Sequence, residues 1–112
     1  MIIYEQIKYL LRNKIEMIVS SAEVKDKLFA KFVTKPDSII LSDYCYNRIN
    51  NGIPFNKHIF KYINRGEYKY LGEDYPYTGF IYHRPKGQKE DIIVGEWNNG
   101  IKILYEKTDD KP

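Results

Sequence analysis

The hydrophobic pattern of this chain changes period near its middle, and that change limits the folds it can adopt. Up to Phe32 the apolar side chains recur at the spacing of one helix face. From His58 onward they alternate with polar residues, which is the spacing of a half-buried strand. The pattern therefore predicts helices first and an antiparallel sheet afterwards, which is an α+β fold class.

The first half predicts three short helices and one strand. An amphipathic helix is expected from Ile2 to about Arg12, followed by a short strand in IEMIVS. Ser20 or Ser21 can cap the second helix, SAEVKDKLFAKF. A third helix of about two turns is expected in SDYCYNRINN, where Ser42 is a good N-cap and the Asn-Asn-Gly run at 50–52 is a stop signal.

The second half predicts a hairpin and then a meander of strands. The hairpin strands are His58–Ile63 and Glu67–Leu71, joined by the turn Asn-Arg-Gly. Strands are also expected in FIYHR, DIIVGEW and IKILYE. The Asn99-Gly100 pair between the last two is a strong hairpin signal, because both residue types accept the left-handed backbone that a tight turn requires.

This order of elements resembles the winged helix-turn-helix. The hairpin is similar to the wing of HARE-type winged helices and to small modules attached to bacterial restriction-type nucleases. The resemblance covers roughly residues 1–72, and its motif consists of Phe60, Gly66, Tyr68 and Leu71. It implies three helices with a β-hairpin wing, an extra C-terminal antiparallel meander, and DNA binding.

A single domain is expected over residues 1–112. Residues 1–72 would form the winged-helix core, residues 73–106 the appended strands and residues 107–112 a frayed tail.

Charge and cysteine content narrow the class of partner and the compartment. The net charge is only +3, but the span from Ser42 to Lys89 holds eight basic and four acidic residues, so the positive excess lies in the centre. The single cysteine, Cys45, excludes an internal disulfide and suits a reducing compartment. The sequence predicts a cytoplasmic protein with no signal peptide and no membrane partner, because no apolar run approaches membrane-spanning length.

The third predicted helix carries the candidate base-reading residues. At helical spacing, one face presents Tyr44, Asn47, Arg48 and Asn51. Arginine pairs with guanine and asparagine with adenine in the major groove, so this face is typical of a recognition helix. The alternative is a solvated helix face with ordinary capping residues.

A second set of residues is suited to phosphates. This set, on or beside the hairpin and the third helix, consists of Ser42, Lys57, Lys61, Arg65 and Lys69. A basic wing adds salt-dependent, sequence-blind affinity. Alternatively, the same lysines protect a sheet edge from aggregation.

Enzyme chemistry has little support in the sequence. The triplet Glu67–Lys69 matches half of a restriction-type metal site, but Asp43 looks like a helix-start residue rather than its partner carboxylate. His58 and His83 have no acid at useful spacing. We expect no catalytic residues, no metal and no cofactor.

Two functions fit these observations. The first is a small regulator or accessory factor that binds double-stranded DNA, as a monomer or a homodimer. The second is an inhibitor or adaptor of the phage type that binds a nuclease or another nucleic-acid enzyme through the same helix and the tyrosine-rich meander.

Overall fold

The helices and one short strand precede five consecutive strands in the computed structural model, which describes residues 2–49 and 57–105. The described residues form two α-helices and two short 3-10 helices: α1 Ile3–Leu10, α2 Ser21–Phe32, Pro36–Ser38 and Leu41–Tyr44. They form six strands: β1 Ile18–Ser20, β2 Phe60–Asn64, β3 Glu67–Tyr70, β4 Gly79–His83, β5 Ile92–Asn98 and β6 Ile101–Leu104. These strands make two antiparallel sheets, sheet A in the order β1-β3-β2 and sheet B in the order β4-β5-β6.

The start of α2 confirms the predicted N-cap. The Ser20 hydroxyl accepts a hydrogen bond from the Glu23 backbone N–H at 3.0 Å, and the Ser20 N–H donates to the Glu23 carboxylate at 2.9 Å. This reciprocal capping box satisfies two backbone donors. The helix ends at Phe32, and its C-cap Val33 has a left-handed φ of 57°. No helix in the described residues is long and apolar enough to cross a membrane.

Sheet A covers the main core with one face and exposes the other. Phe60, Tyr68 and Tyr70 are buried and share a cluster with the apolar faces of α1 and α2. Lys61 and Lys69 lie on the opposite face, because successive side chains alternate across a strand. The alternation of apolar and polar residues in β2 and β3 produces this division between the two faces.

Sheet B has a second, smaller core and the predicted hairpin. Asn99 and Gly100 have φ values of 48° and 87°, so both adopt the left-handed backbone expected of this turn. The buried members of the second core come from several elements: Tyr46, Leu71, Tyr77, Ile81 and Trp97. Trp97 is therefore a core residue.

The predicted winged helix-turn-helix is wrong. The expected helix from Ser42 to Asn51 is replaced by the 3-10 turn Leu41–Tyr44, after which Cys45 is extended with φ −95° and ψ 139°. Asn51 lies outside the described residues, as does the tail at 107–112. A two-turn helix has little stability of its own, and here the backbone bonds instead to two strand edges. The chain is α+β, but its described residues do not form a helix-turn-helix with a wing.

Residues 44–49, which we call the bridging segment, connect the two sheets. Next to β2, the Tyr46 N–H donates to the Phe60 carbonyl at 2.7 Å. Next to β4, the Asn47 carbonyl accepts from the Tyr82 N–H at 2.9 Å, and the Ile49 N–H donates to the Tyr82 carbonyl at 3.0 Å. Both contacts are parallel β-bridges. The bridging segment therefore lies along the free edge of sheet A and the free edge of β4 in sheet B.

Candidate functional site

Asn47, predicted to face DNA bases, is buried in the structure. Its side chain accepts from the Tyr62 backbone N–H at 2.8 Å and donates to the Tyr62 carbonyl at 3.0 Å. The amide thus takes the place of a strand neighbour beside β2. With 8% of its surface exposed, Asn47 has no free edge to offer a base in this conformation.

Arg48 is held by an ion pair. Its guanidinium donates two hydrogen bonds to the Asp91 carboxylate, at 3.0 and 3.1 Å, and lies 5.1 Å from the centre of the Tyr62 ring. Arg84 adds a further bond to Asp91 at 3.0 Å. Hydrogen bonding from Arg48 lowers the pKa of Asp91 and raises the pKa of Arg48 itself. Both groups stay charged at neutral pH, and the pair fastens the bridging segment to the turn before β5.

Two other members of the predicted set also contact the protein interior. The Tyr44 ring packs 5.4 Å from the Tyr4 ring, and burial raises the pKa of Tyr44. Ser42 hydrogen-bonds with the Tyr68 side chain. The structure therefore does not bring Tyr44, Asn47 and Arg48 together on an exposed helix face, and Asn51 is outside the described residues.

The basic residues of the hairpin are placed differently. Lys61 and Lys69 are direct cross-strand partners on the outer face of sheet A. Arg65 lies exposed in the turn between β2 and β3, and Lys57 is exposed ahead of β2. None of these four cations has an ion pair within residues 2–49 and 57–105. This group, which we call the basic hairpin, is the part of the predicted site that remains accessible.

A cleft that the sequence did not predict lies where the two sheets meet. It has a volume of about 340 Å³ and is bounded by α1, the bridging segment, the loop from Glu73 to Pro76 and the β5–β6 turn. Three mutually packed rings lie at its base. The His58 ring is 5.5 Å from that of Tyr46 and 5.2 Å from that of Trp97, and the Tyr46 and Trp97 rings are 5.0 Å apart.

His58 is a neutral imidazole in this cleft. Its Nδ1 lies 3.0 Å from the Cys45 carbonyl, which can only accept, so Nδ1 carries the proton. Nε2 then accepts from the Lys102 ammonium at 3.3 Å. Burial, and next the charge of Lys102, lower the pKa of His58 to about 4. Burial also lowers the pKa of Lys102.

An acidic residue at the mouth of the cleft, Glu73, is already paired with neighbouring side chains. The Glu73 carboxylate accepts from the Tyr4 hydroxyl at 2.8 Å and from the Lys8 ammonium at 3.1 Å. Both contacts lower the pKa of Glu73, the tyrosine bond contributing most. Glu73 therefore links the loop at 73–76 to α1 as a charged but fully bonded group.

Nucleophilic and metal chemistry have no assembled site in the described residues. The Cys45 thiol is buried, and burial raises its pKa to about 12, so it stays protonated. Within residues 2–49 and 57–105, no group of three or more histidine, cysteine, aspartate or glutamate side chains is placed to hold a metal ion.

Comparison with known proteins identifies the family. The family model described as "Domain of unknown function (DUF7225)" matches residues 2–104. The chain belongs to this family. It is similar to the "Uncharacterized protein YnaC" of Bacillus subtilis (strain 168), with 61% identity over 106 residues. That match covers 95% of this chain but 40% of the relative, so the chain spans about two fifths of the relative's length. No solved structure matches.

Proposed function

We propose that this protein binds double-stranded DNA through the basic hairpin. The observation that carries the proposal is the direct pairing of Lys61 with Lys69 across β2 and β3. Like charges in register destabilise a sheet, and neither lysine has an ion pair among the described residues. A phosphate backbone laid along this face would neutralise both charges.

Binding through the basic hairpin would supply affinity for the phosphate backbone and little recognition of individual bases. Two lysines on a sheet face and Arg65 at the hairpin turn can follow phosphates. Asn47 and Arg48, the residues expected to read bases, are engaged inside the protein. We therefore propose contacts that depend little on sequence, in a cytoplasmic regulator or accessory factor.

Duplex binding measured across a salt series tests the proposal. The double variant Lys61→Gln/Lys69→Gln should lose roughly tenfold or more in affinity at low salt, and its salt dependence should fall by about two counterions. The matched control is Lys25→Gln/Lys27→Gln, which removes two charges from α2 on the far side of sheet A. Absence of duplex binding at low salt, or equal losses in both double variants, contradicts the proposal.

One observation favours the second candidate function, a protein-binding inhibitor or adaptor. The outer face of sheet B exposes four large apolar side chains, Phe80, Ile93, Ile101 and Ile103. In the described residues β6 has no strand on its other side, so it offers an edge to which a partner strand could add. The test is inhibition of a purified nuclease or methylase by the wild type and by Ile101→Ser/Ile103→Ser. Equal effects of the two proteins would exclude this surface.

A further inference from the structure

The cleft between the sheets is poorly suited to a cationic ligand. Its aromatic faces are already occupied by ammonium groups of the protein. Lys8 and Lys57 lie 4.7 and 5.1 Å from the centre of the Tyr4 ring, and Lys102 lies 5.9 Å from that of Trp97. A methylated ammonium ligand would need these same faces. The cleft therefore disfavours the cationic ligands that aromatic cages usually take.

Charge around the cleft favours an anion at its mouth. Glu73 already accepts hydrogen bonds from Tyr4 and Lys8, and Asp74 is the other acidic residue in the described lining of the cleft. Against it stand Lys57 at the rim and Lys102 beside His58. Lys57 is exposed and has no ion pair in the described chain. A single phosphate would find its strongest partner there.

The inner part of the cleft suits a flat, polar group. Its volume of about 340 Å³ is at the lower end for small-molecule sites. The half-buried rings of His58 and Tyr75 line the cleft together with the buried Tyr46 and Trp97. Asn99 in the β5–β6 turn adds an amide that can both donate and accept. Aromatic rings that can stack and an amide that can hydrogen-bond are the contacts by which proteins bind a nucleobase.

We propose that this cleft binds one nucleotide unit, with the base between the sheets and the phosphate at Lys57. The unit is either a free nucleotide or a base turned out of a nucleic-acid strand. Only the strand-borne form rests on the function proposed above. Lys57 belongs to both proposed sites, but Lys61 and Lys69 do not line the cleft, so variants of these two lysines test the duplex site separately.

Trp97 reports directly on this cleft because it is the only tryptophan in the chain. The experiment titrates the protein with each nucleoside monophosphate, and separately with short single-stranded oligonucleotides, while Trp97 emission is excited at wavelengths that tyrosine does not absorb. We expect saturable quenching by at least one base in at least one of the two forms. Mononucleotides acting alone indicate a free-nucleotide site, and tighter binding of oligonucleotides indicates a strand-borne base.

Variants connect the signal to the proposed contacts. Lys57→Gln should weaken binding roughly tenfold, as expected for loss of one charge-assisted phosphate contact. The matched control is Lys31→Gln, since Lys31 lies over a different tyrosine ring, that of Tyr9 at 5.5 Å, and away from the cleft. Asn99→Asp should fold, because aspartate also accepts a left-handed backbone, and should weaken binding by adding a charge beside the base.

Two results would overturn the inference. One is an unchanged Trp97 spectrum with all mononucleotides and oligonucleotides. The other is quenching that Lys57→Gln and Lys31→Gln affect equally. Lys61→Gln/Lys69→Gln separates the two proposals: it should leave mononucleotide binding intact while weakening duplex binding. Unchanged duplex binding in this double variant therefore counts against the basic hairpin, and absence of nucleotide quenching in the wild type counts against the cleft.

Discussion

Replacing Asn47 with alanine tests whether this residue is structural or a reader of bases. The substitution removes both hydrogen bonds between the side chain and the Tyr62 backbone, at 2.8 and 3.0 Å. It leaves the Tyr62 N–H and carbonyl without their partner at a site that is mostly shielded from water. A buried backbone group left unpaired costs about 1–3 kcal/mol. Since two such groups lose their partner, we expect a total loss of about 2–4 kcal/mol in the free energy of unfolding.

Urea denaturation and a thermal melt measure this loss. For a chain of this size it corresponds to a fall in melting temperature of roughly 10–20 °C. The matched control is Asn64→Ala, because Asn64 is exposed and its amide reaches only Glu67, at 3.4 Å. The control should change stability by less than about 0.5 kcal/mol. If Asn47→Ala is as stable as the control but binds duplex DNA less well, the structural role argued here is refuted.

Two further predictions concern charge and pH. Folding lowers the pKa of His58 from 6.5 to about 4. Between these two pH values, His58 is protonated in the unfolded chain and neutral in the folded chain. Stability should therefore fall as the pH drops from about 6.5 to about 4, by no more than about 3 kcal/mol, and His58→Gln should remove this part of the slope in denaturation series. At pH 7, Arg48→Ala should lower the free energy of unfolding by about 1–3 kcal/mol, because it breaks the ion pair with Asp91. Arg84→Ala should lower it by less than about 1 kcal/mol, because Arg84 is exposed and makes one bond to Asp91. Because Arg48 lowers the pKa of Asp91, the stability difference between the wild type and Arg48→Ala should persist at neutral pH and vanish only as the pH falls through that lowered pKa. A stability difference that is independent of pH would contradict the pairing.

Local signals in the sequence predicted local structure well. The N-cap at Ser20 and the Asn99-Gly100 turn depend on residues within a few positions of each other, and both are present. The prediction of a third helix was wrong because the decisive contacts are distant in the sequence. The partner of Asn47 is Tyr62, 15 residues along the chain, and no local pattern distinguishes a buried asparagine with such a partner from an exposed one.

The cleft could not be predicted because the contacts that define it do not follow from the types of its residues. His58 had no acidic neighbour in the sequence, and its actual partners are a backbone carbonyl and Lys102, 44 residues away. A carbonyl has no sequence signature, and a lysine beside a histidine is not a usual search pattern. The excess of tyrosine and the lone Trp97 were the signals that could have pointed to an aromatic-lined site.

The bridging segment also has an evolutionary consequence. Its backbone bonds to sheet A through Phe60 and to sheet B through Tyr82, and the Tyr46 carbonyl accepts from the Trp97 indole at 2.8 Å. Losing sheet B by deletion would strip buried carbonyls of their donors in the part that remained, and sheet B grafted elsewhere would lack Tyr46 from its core. The two sheets should therefore be inherited, gained and lost as one unit, and the family match over residues 2–104 includes both.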